Sequence, residues 1–434
     1  MFVQITNTPR DYAWGSDRAI TDLLAMPPTG RPEAELWLGA HPGSPSVIEH
    51  PEQVGGARTL AEFIANEPDR ASGAHRHLPY LLKILAADKP LSLQAHPTLG
   101  MAREGFEREN AAGLPLDAPN RNYKDALHKP EVIFALSDTF DALCGFRRVD
   151  EIHAVLGVLK AADARAAVPE PELLAAFESQ LRGDTAEALR TTVQWLLSGD
   201  QQVSALVDHV TALVSSDPEL VSGGASRDVS GGDFGEALAT VRSLALEYPG
   251  DPGVVLSLLL NRVTLKRGEA LFLPAGNIHA YLRGVGVELM AASDNVLRGG
   301  LTPKYIDVPE LLRVLRFESL PVPYLEPEHP QPGVAVYQPD VIDFVLVRVA
   351  LGEPAAADLA PAGSAASGAP ATSAAFTPDG PAIVIATAGS MTVSSSGGSV
   401  DVLRGESYFI TPDEGTLTFT GAGELFLAAP GAPA

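Results

Sequence analysis

The stretch GEALFLPAGNIH, from Gly268 to His279, decides the fold class of this 434-residue chain. Five residues separate Gly268 from Pro274, one separates Pro274 from Gly276, and two separate Gly276 from His279. The stretch lies within residues 262–282, where polar and apolar positions alternate over turns, a pattern that favours β-structure. The simplest interpretation is a β-hairpin with a histidine in the core.

This spacing also resembles the second signature of the cupin superfamily, in which a strand, a Pro-Gly turn and a returning strand direct a histidine into a β-barrel. Arg283 stands where that family has Asn, four residues after the histidine. The resemblance implies a cupin-type β-barrel, or jelly roll, around His279.

Upstream of this stretch the pattern is helical. Residues 151–248 contain Ala/Leu/Glu-rich runs with apolar residues at i, i+3 and i+4, which predict a block of helices. Residues 1–150 instead indicate short strands and turns, broken by a helix-like stretch from Thr59 to Ala65. We therefore predict that the helical block is an insertion into one β domain or a cap on it.

Short strands also follow Leu320, and RGESYFITPDEG (404–415) echoes the Gly-to-Pro spacing without a histidine. A small β-sandwich or barrel without metal is expected there. Two segments of biased composition are predicted to be loops: a Gly/Ser stretch at 221–233 and an Ala/Pro/Gly/Ser stretch at 353–375, the second mobile and on the surface.

The predicted protein is mainly β with an α-helical insertion, divided into three parts. Residues 1–150 and 251–320 form a catalytic cupin domain, residues 151–250 a helical domain, and residues 321–434 a second, cupin-like C-terminal β domain.

Composition excludes several classes of function. The net charge is −23, from 31 basic and 54 acidic residues, and such a surface repels nucleic acid and anionic membranes. No apolar run approaches the ~18 residues needed to span a bilayer. The amino terminus lacks a secretory signal, and the single cysteine, Cys144, suits a reducing compartment, so a cytoplasmic location is expected.

Two short segments carry candidate metal ligands. Period-two alternation in LSLQAHP (91–97) puts Ser92, Gln94 and His96 on one strand face, although a solvated edge would give the same pattern. In HKPE (128–131), Lys129 and Glu131 share a face before an apolar run, where a structural ion pair is the alternative.

Together, Gln94, His96, Glu131 and His279 offer two imidazole nitrogens and two oxygens, a set that suits a first-row divalent ion such as zinc. One carboxylate leaves such a site positively charged, as catalysis at a carbonyl or hydroxyl requires.

An anionic substrate would need a local basic island in so acidic a protein. Arg298 and Lys304 flank the Gly299-Gly300 turn, which permits close approach of both cations to one anion. With Lys129 they would form that island. The alternative is that they are ordinary solvated loop cations.

At these residues the chain resembles the type I mannose-6-phosphate isomerases, a cupin family. The matching stretches run in order through about three quarters of the chain: YAWGS (from Tyr12), AELWLGAHP (from Ala34), LPYLLKILAADKPLSLQAHP (from Leu78), HKPE, KRGEALFLPAGNIHAYL and VELMAASDNVLRGGLTPK (from Val287).

The resemblance implies one zinc ion per chain, held by Gln94, His96, Glu131 and His279. It implies that Arg298 is an essential active-site arginine and that Lys129, Glu288 and Lys304 line the substrate pocket. Ser92 would lie near the phosphate. Trp14 would lie near the same pocket, with core packing as an equal alternative.

The family usually has acidic and Asn residues immediately before HKPE, where this chain has Asp125-Ala126-Leu127. A hydrogen bond that orients Glu131 is therefore expected to be missing or replaced.

The expected substrate is a phosphorylated hexose, with proton transfer between C2 and C1 through a cis-enediol. The base is left open among Glu288, water linked to His279 and a hydroxide on the metal. Arg298 is expected to stabilise charge, because guanidinium stays protonated near neutral pH. A monomer is expected, with a homo-oligomer left open. Alternative functions are an iron-dependent cupin oxygenase and a non-catalytic sugar-binding cupin.

Overall fold

The computed structural model describes residues 1–221, 234–352 and 371–432. Its strands are β1 (Phe2–Thr6), β2 (Glu35–Leu38), β3 (Val47–Ile48), β4 (Tyr80–Ala87), β5 (Leu93–Ala95), β6 (Glu131–Ala135), β7 (Thr139–Phe146), β8 (Leu260–Lys266), β9 (Ala270–Leu273), β10 (His279–Ala291), β11 (Leu297–Gly300), β12 (Glu328–Gln331), β13 (Val334–Tyr337), β14 (Val345–Leu351), β15 (Ser373–Phe376), β16 (Ala382–Ser394), β17 (Ser399–Leu403), β18 (Ser407–Ile410) and β19 (Leu417–Ala429).

The helices of the described residues are α1 (Ala19–Leu24), α2 (Leu60–Asn66), α3 (Pro68–Ala71), α4 (Leu99–Ala111), α5 (Val149–Asp163), α6 (Pro171–Gln180), α7 (Thr185–Leu196), α8 (Gln201–Ser216), α9 (Gly235–Glu247), α10 (Gly253–Leu256) and α11 (Val308–Val314). None of them is long and apolar enough to span a membrane.

The long strand β10 organises the first antiparallel sheet. Its first part, from His279 to Arg283, pairs with β5 and β7, and its second part, from Gly284 to Ala291, pairs with β4 and β6. Gly284 lies at the join with φ +131°, and a Cβ there would be 2.7 Å from the ring of Phe140. Only glycine lets the strand pass so close to its neighbour, so one strand serves both parts of the sheet.

The prediction that GEALFLPAGNIH forms a β-hairpin is wrong, because its two strands do not pair with each other. Strands β9 and β10 flank β6 and do not pair with each other: Val132 faces Phe272 on one side and Leu289 on the other. The Pro-Gly segment crosses between them, and the amide of Gly276 donates to the carbonyl of His96 at 2.8 Å. The motif therefore connects two strands that do not pair, and a backbone hydrogen bond links it to His96, a predicted metal ligand.

The second antiparallel sheet has the order β12-β13-β14-β19-β16-β18-β1-β3, with β15 paired to β19 and β17 to β16. It contains β1 and β3, which the predicted domain division assigns to the catalytic domain. Strand β1 belongs to this sheet because it pairs with β18, where Phe2 lies opposite Ile410, and because its side chains Val3 and Ile5 are buried in the core. The division into domains otherwise stays a prediction.

Helices α5 to α9 confirm the predicted helical block, and α2, capped by Thr59, confirms the short helix near residue 60. Helix α4 was not predicted. Its buried positions are Ala102, Gly105 and Glu109, so the usual stripe of large apolar residues is missing.

Most of the predicted Gly/Ser loop 221–233, residues 222–233, and most of the Ala/Pro/Gly/Ser segment, residues 353–370, lie outside the described residues. The end of the second segment is not a loop, because Ser373–Phe376 forms β15 and pairs with β19.

The two sheets share a core. Phe134 of the first sheet packs against Phe426 of the second, with ring centroids 5.0 Å apart. A buried ion pair lies in the same region: the guanidinium of Arg348 donates to Glu424 at 2.8 Å, and Arg267, in the turn between β8 and β9 of the first sheet, lies 3.6 Å from the same carboxylate. Apolar packing and charge pairing therefore both fix the second sheet against the first.

Candidate functional site

A cavity of about 500 Å³ is lined by side chains from β2, β4, β5, β6, β10 and β11 and from the loops around them. Eight of the ten predicted site residues line it: Trp14, Ser92, Gln94, Lys129, Glu131, Glu288, Arg298 and Lys304. The other two, His96 and His279, are 0% and 1% exposed and lie directly behind Glu131. The structure thus brings the whole predicted set together.

Glu131 lies between the two histidines. Its Oε1 is 3.3 Å from His96 Nε2, and its Oε2 is 3.2 Å from His279 Nε2. One ligand atom from each residue lies within 4.8 Å of the others. Three elements supply them, because Glu131 begins β6, His279 begins β10 and His96 follows β5. This is a compact set of one carboxylate and two imidazoles.

Backbone carbonyls fix the orientation of both rings. His96 Nδ1 lies 2.8 Å from the carbonyl of Asn295, and His279 Nδ1 lies 3.1 Å from that of Asn277. A carbonyl only accepts, so each Nδ1 carries a proton and each Nε2 keeps a lone pair. Burial also lowers the pKa of His96 to about 4, against the opposing effect of Glu131. The His96 ring is therefore neutral at neutral pH, as a metal ligand must be.

The chemistry of this group fits a divalent cation. His96 Nε2, His279 Nε2 and Glu131 Oε2 are buried and have no hydrogen-bond partner among the described residues. Unsatisfied buried polar atoms are costly, and a divalent ion coordinated by all three atoms would satisfy them.

Gln94 extends the same face. It lies opposite His279 across β5 and β10 and opposite Arg298 across β5 and β11. Directly opposed residues project to the same side of a sheet, so its amide is available both to the histidine side and to the cavity.

Lys129 donates to Glu131 Oε1 at 2.6 Å. Burial opposes ionisation of Glu131, but Lys129 and His96 outweigh it and hold the pKa of that carboxyl well below its usual range. The predicted basic island is accordingly smaller than expected, because Lys129 already has an anionic partner.

Asn295 organises the loop before Glu131. Its side-chain amide donates to the carbonyls of Asp125 and Leu127 at 2.9 and 2.8 Å, and its Oδ1 accepts from the amide of Lys124. These bonds use the backbone, so they are independent of the side chains at 126 and 127. The expected loss or replacement of a hydrogen bond that orients Glu131 stays a prediction.

Arg298 and Lys304 are the available cations. Within residues 1–221, 234–352 and 371–432, neither side chain makes an ion pair or a side-chain hydrogen bond. Burial lowers the pKa of Arg298, and burial together with Arg298 lowers the pKa of Lys304, so the two cations are close and electrostatically unfavourable as they stand. An anion between them would relieve this repulsion.

Trp14 stacks on Tyr12 with ring centroids 5.8 Å apart, and both rings line the cavity. Trp14 also packs on the apolar cluster around Tyr281. Both sequence interpretations of Trp14, a pocket wall and core packing, therefore hold.

Sequence reasoning missed Lys83 and Glu35, which also line the cavity. Lys83 is the one charged residue of the otherwise apolar strand YLLKILAA, and it is 5% exposed. A lysine inside a buried strand needs a carboxylate partner, and that signal was visible in the sequence.

Comparison with known proteins gives one family. The model of the phosphomannose isomerase type I catalytic domain matches residues 2–149. The mannose-6-phosphate isomerase of Escherichia coli (strain K12) is 36% identical over 431 residues, which cover 97% of this chain and 98% of that protein. The human mannose-6-phosphate isomerase is 34% identical over 370 residues, 78% of this chain and 79% of that protein.

Solved structures agree along the whole length. A mannose 6-phosphate isomerase bound with zinc and yttrium superimposes with a TM-score of 0.81 at 32% identity, covering 99% of this chain and 100% of the other. The apo form of the enzyme from Salmonella typhimurium gives a TM-score of 0.81 at 32% identity, covering 99% of both chains.

Proposed function

The chain belongs to the type I phosphomannose isomerase family, and on that premise we propose that it interconverts mannose 6-phosphate and fructose 6-phosphate. The proton moves between C2 and C1 through a cis-enediol, with one zinc ion assisting. The observation that carries the proposal is a single cavity lined by Glu131, which lies between His96 and His279, and by Arg298 and Lys304, two cations that have no anionic partner among the described residues.

Gln94, His96, Glu131 and His279 would hold the zinc ion. When bound, the ion supplies positive charge that polarises a carbonyl or hydroxyl oxygen of the sugar. The carbonyls of Asn277 and Asn295 support the fit, because they leave the Nε2 atoms of both histidines free for a ligand bond.

The proton transfer falls to Glu288 and Lys129. Burial raises the pKa of Glu288, although Lys83 opposes the shift, and a carboxylate with a raised pKa is a stronger base for a carbon-bound proton. Lys129 is 8% exposed and lines the cavity, where its ammonium can donate to a developing oxygen anion. Arg298 stabilises that charge without exchanging its own proton.

Ser92, Lys304 and Trp14 complete the substrate site. The ammonium of Lys304 and the hydroxyl of Ser92 would bind the phosphate, and the ring of Trp14 would form a wall against the sugar. Their support is that all three line the same cavity as Arg298.

The finer architecture also belongs to this proposal. We propose that each sheet is a cupin-type jelly roll, that the helices form an inserted domain and that the C-terminal sheet carries no metal. We also propose a monomer with one zinc ion per chain and a cytoplasmic location, and only the location has support here, from the single, buried cysteine Cys144. Light scattering tests the monomer, and metal analysis tests the stoichiometry.

A coupled assay of mannose 6-phosphate conversion tests the function. The protein is assayed as purified, after chelation, and after zinc is added back. Activity that chelation abolishes and zinc restores supports the proposal. A zinc-replete, folded protein without activity would refute it, and binding of the sugar phosphate without turnover would point to a sugar-binding cupin.

A further inference from the structure

Three residues form a row across neighbouring strands beside the cavity, and two of them, Lys83 and Glu288, line it. Lys83 of β4 faces Trp37 of β2 on one side and Glu288 of β10 on the other. Directly opposed residues project to the same side of an antiparallel sheet, so the three side chains are forced together by strand register. Glu35, two residues before Trp37, lies on the same face.

The contacts within this row are specific. Lys83 Nζ lies 2.8 Å from Glu288 Oε2 and 3.4 Å from Glu35 Oε1. The indole N–H of Trp37 donates to the other oxygen of Glu35 at 2.9 Å, and Lys83 Nζ lies 5.2 Å from the centre of the Trp37 ring. Glu35, Lys83 and Glu288 are 7%, 5% and 3% exposed. Both oxygens of Glu35 are therefore occupied, one by each neighbour.

This arrangement constrains the ammonium. An ammonium has three protons; Glu288 and Glu35 accept two of them, and Lys83 also lines the cavity. Without Glu35, the ammonium would pair with Glu288 alone, and its charge would no longer be shared between two carboxylates. Trp37 gives Glu35 a fixed orientation, because an indole N–H is a donor with one direction.

We propose that Glu35, oriented by Trp37, is a positioning residue for the isomerase reaction: it holds the Lys83 ammonium so that the Glu288 carboxylate keeps its place and its basicity at the cavity wall. This inference rests on the proposed function. Glu35 acts through Lys83 and Glu288.

The electrostatics give the proposal a signature that a structural role would lack. Burial is the main cause that raises the pKa of Glu288; Glu131 and Glu35 raise it further, while Lys83 and Lys129 lower it. Removing the charge of Glu35 therefore lowers the pKa of Glu288. In a plot of kcat against pH, the fall on the acidic side, here called the acid limb, then moves to lower pH. The maximal rate also falls, because the base is weaker and less well placed.

The test compares Glu35→Gln with Glu33→Gln in the zinc-loaded, full-length protein. Glu33 is an equally buried carboxylate on the same chain segment; it binds Thr21 and Thr29 and does not line the cavity. For Glu35→Gln we expect kcat to fall about 10- to 100-fold while KM changes less than about threefold. The acid limb of kcat should move to lower pH. For Glu33→Gln we expect a lower melting temperature and an unmoved acid limb.

Trp37→Phe keeps an aromatic side chain, although a smaller one, and removes the N–H. It should therefore lower kcat and move the acid limb to lower pH, as Glu35→Gln does, but by less. It keeps the test decisive if Glu35→Gln does not fold. Wild-type activity with an unchanged acid limb in the folded Glu35→Gln or Trp37→Phe variant would overturn this inference alone. An inactive, zinc-loaded wild type would overturn the proposed function and this inference with it.

Discussion

Gln94 lies directly opposite His279 in the antiparallel pair formed by β5 and β10, and its other neighbour across the sheet is Arg298. Neighbouring strands lie about 4.8 Å apart, so His279 and Arg298 are separated by roughly 10 Å of sheet. The sheet itself thus sets the spacing between the proposed metal ligand His279 and the proposed charge-stabilising arginine.

Replacing Glu131 by Gln should abolish both zinc retention and turnover. The substitution keeps the shape but removes the charge that lies between the two imidazoles, and we expect at least a ~100-fold loss of zinc affinity and activity. Metal content after dialysis and the coupled assay measure the two effects. Glu109→Gln, which changes another buried carboxylate, is the control. Full zinc content in the Glu131→Gln variant would contradict the assignment.

Asn295→Ala should weaken zinc binding without touching a proposed ligand. The substitution leaves the carbonyl that accepts from His96 but removes the amide that holds the loop at Asp125 and Leu127. Loss of a residue that supports the metal ligands from outside the coordination sphere lowers metal affinity by ~10- to 100-fold. Competition with a chromophoric chelator measures it, with Asn122→Ala as the control. An unchanged affinity would show that the loop does not need this amide.

Arg298→Ala should reduce kcat/KM by about 10- to 100-fold, because a charge-assisted hydrogen bond contributes about 1.5–3 kcal/mol. Steady-state kinetics measure the loss, and inhibition by inorganic phosphate should weaken in parallel. The exposed Arg148, which pairs with Asp150, provides the matched control Arg148→Ala. Wild-type kinetics in the Arg298→Ala variant would remove this residue from the substrate site.

The activity should fall on acidification at a pH above 4.5, the ordinary value for a glutamate. Burial raises the pKa of Glu288, and a base works only when ionised, so the acid limb of kcat/KM follows the raised value. Rate profiles on protein that circular dichroism shows to be folded at each pH measure the limb. A limb at or below the ordinary value would exclude Glu288 as the base.

Glu424→Ala should destabilise the protein by about 3–5 kcal/mol, because it leaves the buried guanidinium of Arg348 without its carboxylate. Urea unfolding measures the change. Thr392→Ala, which removes an exposed hydrogen bond in the same sheet, should cost far less. Equal midpoints for the two variants would mean that the buried pair adds nothing to stability.

Much of the site was visible in the sequence because its residues sit in short motifs of fixed spacing. Gln94 and His96 alternate on one strand, and His279 begins another, so local pattern located them. Lys83 and Glu35 were missed because their meaning depends on the strand order β2-β4-β10, which brings together residues far apart in the chain. The carbonyls of Asn277 and Asn295 were also missed, since every residue has one.

The fold shows the same limit. Helices α5 to α9 follow from apolar periodicity, whereas α4 buries Ala102 and Gly105 against its surroundings and gives a weak signal. The pairing of β9 with β6 and of β1 with β18 depends on contacts between distant segments, which no local pattern reports.

The pairing of β1 with β18 also bears on how the chain is made. At about 5–20 residues per second, a ribosome needs on the order of 20–80 s between Phe2 and its partner Ile410. Throughout that interval β1, with the apolar side chains of Val3 and Ile5, has β3 but not β18 to pair with. The second sheet can therefore close around β1 only after Ile410 has been synthesised.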